Sequence, residues 1–382
     1  MFKFLSDLSL MNLISGSDKP EHEVEPESDP EPIDILPFSA HIKTCLGSEA
    51  LSLTHDLDAS EFQSLLEVIQ ILLDDDGKWQ LINEPATDSN KLKLFRSLIQ
   101  LSEASQKFPK SLFVVATPST MLPKRSGVQS EVYEARWKGK HVAMRSRSHQ
   151  RLGKDGEGYN PSQLNFLVEC LKWRQLRHPN VLQLFGVDTS TLHHAASLIQ
   201  PWIENGDMRT YFKTHTPKPD VTQLISWMRD VAQGMDYLHK MGITHGDLRG
   251  DNILISDEGT AQITNVVLRS SHEDTSVAFP RRIGGPERYM APEYLRSGKP
   301  TPATDRFAFG FVCIEILTGE VPFPTLSDHA AITLTLKGTL PARPGRMPER
   351  VWSLVNTCWN HNPGQRPTMQ AALHELSLSD EK

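Results

Sequence analysis

A chain of 382 residues with a net charge of −7 is long enough for two or three folding units. Its 38% hydrophobic and 23% charged residues describe an ordinary globular composition, without the basic excess of a nucleic-acid binder. No apolar run reaches membrane-spanning length, and Cys45, Cys170, Cys313 and Cys358 show no metal-ligand spacing, which suits reduced thiols in a cytoplasmic protein.

Residues 1–15 lack a small-residue cleavage site, which argues against a signal peptide. A frayed end is the plainer reading. A short helix carrying Leu5, Leu8 and Met11 is the sharper one. Residues 16–37 contain Pro20, Pro26, Pro30, Pro32 and Pro37. Within them Asp18, Glu21, Glu23, Glu25, Glu27, Asp29, Glu31 and Asp34 stand against Lys19, so this stretch carries the whole net charge. It cannot bury enough apolar surface to offset chain entropy and is predicted to be a disordered linker, a solvated tether, with an acidic interaction tail as the sharper alternative reading.

A helical extension is predicted over 38–110. Asp58 or Ser60 caps a helix over 58–74, whose Phe62, Leu65, Leu66, Ile69, Leu72 and Leu73 share one face. Asp74-Asp75-Asp76-Gly77 ends it and reads as a solvated turn. A second helix over 90–107 carries Leu94, Phe95, Leu98, Ile99 and Leu101, and Pro109 follows. From Ser111 the pattern turns to strands. Leu112–Val115 is one; Val132–Trp137 and His141–Arg145 flank a turn at Lys138-Gly139-Lys140. A polar loop over 146–161 precedes a helix over 162–177 and strands over 181–187 and 196–202. Helical pattern then dominates, through 221–241, 303–318 and 348–358.

The stretch His245-Gly246-Asp247-Leu248-Arg249-Gly250-Asp251-Asn252 carries the chemistry. An aspartate with an asparagine five residues later serves phosphoryl transfer, the first accepting a hydroxyl proton and the second holding magnesium. The spacing alone is a common coincidence, but Val142-Ala143-Met144-Arg145, Glu169 before Leu176-Arg177-His178-Pro179-Asn180, Arg288-Tyr289-Met290-Ala291-Pro292-Glu293 and Asp305 follow the same order as a known motif set. From about Ser111 to Leu378 the chain resembles a protein kinase, of the tyrosine-kinase-like group expanded in fungi. The resemblance implies an α+β, bilobal fold, with a β-rich lobe over about 111–202 and a helical lobe over about 206–378, preceded by the extension.

It also implies roles. Val132 and Ala143 lie above an adenine ring, Leu254 below it, and Trp202-Ile203 beside it on the hinge after Gln200; core packing is an equal alternative for these apolar positions. Arg145 stands where a lysine holds phosphates and faces Glu169. Asp305 anchors the catalytic loop, and Glu293 pairs with Arg366. Arg249 stands where a lysine touches the γ-phosphate.

Several positions depart from the family pattern. The glycine positions of the phosphate loop fall on Arg125, Gly127 and Ser130, so only Gly127 remains. Arg145 keeps charge but not the compact shape of lysine. Asn265-Val266-Val267 replaces Asp-Phe-Gly, and a neutral amide is a poor magnesium ligand, leaving Asn252 as the better of two metal candidates. Gly246 replaces an arginine that would bind a phosphorylated activation segment, so Ser270, Ser271, Thr275 and Ser276 are not expected to activate the protein. Gly153, Gly156 and Gly158 read as a flexible loop. The expectation is a binding or scaffold module for protein partners, with ATP and magnesium handling impaired. The alternatives are a weak protein kinase using Asp247 and Asn252, and an adaptor acting through the helices of the extension.

Overall fold

The computed structural model describes residues 33–47, 49–126, 131–151, 159–192, 195–266 and 286–378. Contacts divide the chain into 1–34 and 35–382; all that follows belongs to the second unit. Most of the acidic linker, Gly127, Ser130, Val267, the 270–280 segment and the glycines at 153, 156 and 158 lie outside the described residues.

The extension begins earlier than its amphipathic pattern indicates. A 3-10 turn at Leu36–Phe38 leads into α1 (Ser39–Leu46) and α2 (Leu53–Asp56), too short to show helical periodicity. α3 (Ala59–Asp74) starts at a reciprocal cap: Asp58 accepts from the backbone of Ser60 and Glu61, and Glu61 accepts from that of Asp58. α4 (Asp88–Ser105) is capped by Thr87. The predicted apolar faces of both helices are buried, apart from half-buried Leu73.

This layer packs on the small lobe. α5 (Pro161–Arg174), capped by Asn160 with Gln163 replying, is the element it holds. Gln70 and Gln175 exchange amide hydrogen bonds of 3.0 and 2.7 Å. Asp74, predicted to be a turn residue, pairs with Arg174 at 2.9 Å and Arg177 at 3.1 Å. Phe108 meets Tyr159, just before α5, edge-on at 5.8 Å.

Residues 112–115 do not form the predicted strand. A 3-10 turn at Lys110–Leu112 follows Pro109, and only Phe113 bridges to Val187. The backbone of Ala116 donates to the Asp188 carboxylate at 2.9 Å instead of to a ladder. The sheet holds β1 (Thr117–Pro118), β2 (Arg125–Ser126), β3 (Glu131–Trp137), β4 (Lys140–Arg151), β5 (Gly186–Asp188) and β6 (Ala195–Pro201). Its order is β1-β3-β4-β6-β5, with β2 also on β3. The strand predicted over 181–187 is shortened to β5, because Val181 and Leu182 pair instead with Ile263 of the large lobe.

Register sorts the two faces of the sheet. Tyr133, Ala135, Val142, Met144 and Ile199 enter one core cluster. Val132, Ala143 and Arg145, with Leu198 and Gln200 opposite on β6, share the other face.

In the large lobe come α6 (Met208–Thr214), α7 (Val221–Lys240), β7 (Ile253–Ile255), β8 (Ala261–Ile263), α8 (Pro292–Ser297), α9 (Pro302–Thr318), α10 (Asp328–Leu336), α11 (Glu349–Cys358) and α12 (Met369–Ser377). α9 is its central post: Phe307 and Phe311, whose rings meet at 5.2 Å on one side, and Phe309 on another are buried. Arg366 and Glu293 form a bidentate pair at 2.5 and 3.0 Å, with Arg366 also over the Phe307 ring.

Asp74→Ala should therefore lower stability by about 1–3 kcal/mol, since it strips the carboxylate from a largely covered Arg174. A thermal melt checks this, and an unchanged midpoint counts against the docking role of Asp74.

Candidate functional site

Asp305 positions the loop. Its carboxylate is buried and accepts from the backbone N–H groups of His245 and Gly246, both at 2.8 Å, and from His239 Nε2 at 3.0 Å. Gly246 takes a φ of +74°, a left-handed conformation that glycine adopts without a Cβ penalty. Replacing arginine here thus removes a charge and also relaxes the backbone.

His245 is fully buried. Its Nδ1 accepts from the Asp247 N–H at 3.1 Å, so Nε2 carries the proton and donates to the Thr264 carbonyl at 3.1 Å. Burial holds its pKa below the ordinary 6.5, against the pull of Asp305 and Asp247. The ring is a neutral spacer between the loop and the strand leading to Asn265.

Both Asp247 oxygens face internal groups. Oδ2 accepts from Asn252 Nδ2 at 3.0 Å, and Oδ1 lies 3.2 Å from Arg249 Nε, at an angle too poor for a hydrogen bond. Arg249 also binds Asp251 at 2.6 Å, and Asp251 meets Arg209 at 2.5 Å. Arg209 continues to the buried Glu315, which accepts from the Gly250 N–H at 2.9 Å and the Tyr289 hydroxyl at 2.8 Å. Sequence reading missed Arg209 and Glu315, and named Tyr289 only as part of a motif. The signal available was Glu315, a carboxylate inside a strongly apolar helical stretch.

The two metal candidates meet each other. Asn265 Nδ2 donates to Asn252 Oδ1 at 3.3 Å, while Asn252 Nδ2 serves the Asp247 carboxylate and, at 2.7 Å, its carbonyl. One lone pair of the oxygen that a cation would need from Asn252 thus accepts from an amide hydrogen. Asn265 is buried at a φ of +58°, a conformation asparagine and aspartate tolerate better than most residues. Magnesium favours anionic oxygen, and two neutral amides bonded to each other do not fit it. Among the described residues no cluster of three His, Cys, Asp or Glu side chains is placed to hold a metal.

Across the cleft, Val132, Ala143, Arg145, Glu169, Trp202, Ile203 and Leu254 are all half-buried, whereas Val142, Met144, Ile253 and Ile255 beside them are fully buried. That contrast sets these seven positions apart from the fully buried core. Gln200 Nε2 donates to Thr264 Oγ1 at 3.2 Å, closing the back of the cleft.

A family model described as protein tyrosine and serine/threonine kinase matches residues 125–376. The chain belongs to this kinase family. Curated relatives include tyrosine-protein kinase SPK-1 of Girardia tigrina, 26% identical over 66% of this chain and 51% of the relative. The Fps transforming protein of avian sarcoma virus (strain PRCII) is 29% identical over 55% and 40%. Ephrin type-A receptor 5 of Rattus norvegicus is 31% identical over 57% and 22%. The chain therefore spans about half or less of the length of these tyrosine kinase relatives. Among the described residues no helix is long and apolar enough to cross a membrane.

The buried neutral His245 sets a pH dependence. Unfolded, the ring takes a proton near pH 6.5; folded, it resists until lower pH. Its contribution to stability is complete above pH 6.5 and shrinks as pH falls below it toward the folded pKa. Melting curves of the native chain and of His245→Asn should converge between pH 7 and pH 5. A gap independent of pH excludes this assignment.

Proposed function

We propose that this kinase-family chain is a catalytically impaired binding or scaffold module in signalling, a pseudokinase of the tyrosine-kinase-like group of fungal type. The observation that carries the reading is the Asn265–Asn252 amide contact, which turns two neutral side chains toward each other at the positions a metal would need. Asp247, with both oxygens against Asn252 and Arg249, and Arg145 in the lysine position support it. ATP binds, on this reading, through the lining formed by Val132, Ala143 and Leu254, with little help from magnesium. The partners are proteins. A reducing, cytoplasmic setting agrees with Cys45, Cys170, Cys313 and Cys358, all buried free thiols.

One observation favours a second reading, a weakly active protein kinase. The Asp305 anchor and the Asp247–Asn252 hydrogen bond keep the loop in order. Arg249 then contacts the transferred phosphate only by leaving Asp247 and Asp251. Loss of one electrostatic contact commonly lowers rate about 10²-fold or more.

Transfer of labelled phosphate from ATP, to the protein itself and to a generic acceptor, separates the two. The expected result is no transfer that Asp247→Ala abolishes; Asp247-dependent transfer refutes the pseudokinase reading. ATP should raise the melting temperature of the native protein equally with and without magnesium. Asn265→Asp should make that rise magnesium-dependent, because a carboxylate cannot donate to Asn252 and supplies an anionic oxygen.

A further inference from the structure

Arg125 stands where the phosphate loop of the family has its first glycine, and its side chain goes somewhere specific. On β2 it pairs with Val132, on the roof of the cleft. Its guanidinium crosses to the linker between lobes. Nη2 reaches the Glu204 carbonyl at 3.5 Å, and Cζ lies 5.9 Å from the Trp202 ring centroid. A side-chain carbon on Gly206 would stand 2.6 Å from Cζ, which places the guanidinium close against that backbone. Gly206 belongs to the floor: its carbonyl accepts from the Ile255 N–H at 3.0 Å, and Asp207 bridges Leu254. One side chain thus runs from the strand partner of Val132 to the backbone of Glu204 and Gly206, along the hinge.

The receiving surface is itself braced. Trp202 donates to Glu204 at 2.6 Å and stacks on His141 at 5.3 Å, and His141 bonds Glu134 of β3 at 2.9 Å. Arg125, Trp202 and His141 form a cation–ring–ring stack on the outer side of the hinge.

We propose that Arg125 is a strap across the mouth of the nucleotide cleft, which must swing away before a purine can enter between Val132 and Leu254. The proposal rests on the cleft being a nucleotide site, and it holds whether or not phosphate is transferred. The contacts of the strap lie at the long end of their ranges, so it is reversible. It lowers apparent affinity by the fraction of molecules in which it is open.

The test is calorimetric titration of the full chain and of Arg125→Ala with adenosine and, separately, with ATP, without magnesium. Arg125→Ala should bind both about ten-fold more tightly, since the strap excludes the base and not the phosphates. Arg125→Gln, which keeps length but not charge, should fall between. If Arg125→Ala weakens ATP and leaves adenosine unchanged, Arg125 is a phosphate ligand and the strap is refuted. Equal binding by both proteins also refutes it. If adenosine binds neither protein, the nucleotide site itself fails, and the strap with it; that result is distinct from equal binding.

Discussion

One buried carboxylate holds the two halves of the large lobe in register. Asp305, on the central helix α9, has little solvent to hydrate it, so its charge is stabilised by the N–H groups of His245 and Gly246 and by His239. That demand fixes the backbone of the catalytic loop from below. Everything above inherits the placement: His245 orients toward Thr264, Thr264 toward Gln200, and Asn265 toward Asn252. A burial penalty on one side chain thus becomes the geometry of a site several residues away.

The loop has kept its framework while its ligands have changed character. A kinase site works by arranging oxygen anions around cations and phosphate. Here Asn252 and Asn265 answer each other, and Asp247 and Asp251 answer Arg249 and Arg209. The network leaves one Asp247 oxygen and Arg249 Nε buried without a hydrogen bond, at the point where the catalytic loop faces the cleft.

Much of this was legible in residue patterns. α3, α4, α7, α9 and α11 announce themselves through amphipathic spacing or caps, and the Asp247–Asn252 spacing identifies the loop once the ordered motifs around it are read with it. What escaped was set by distance. Gln70 with Gln175, and Asp74 with Arg174, are polar side chains about a hundred positions apart; nothing local distinguishes them from solvated ones. Arg125 reads in sequence only as a missing glycine, because its partner surface at 202–206 lies far along the chain. Leu112–Val115 looks like a strand by composition, yet it packs as an apolar connector, since one bridge to Val187 and the side chain of Asp188 take its hydrogen bonds.

The layer of α1 to α4 has a consequence for what counts as the domain. The family match begins at residue 125, while the compact unit begins at Ile35. Family likeness and packing therefore draw different borders through the same chain. A border at the first cuts away Leu112 and Ala116, both buried, and the amide and ion pairs that seat α5. A fragment trimmed to the family match would leave the outer face of α5 without the helices that cover it.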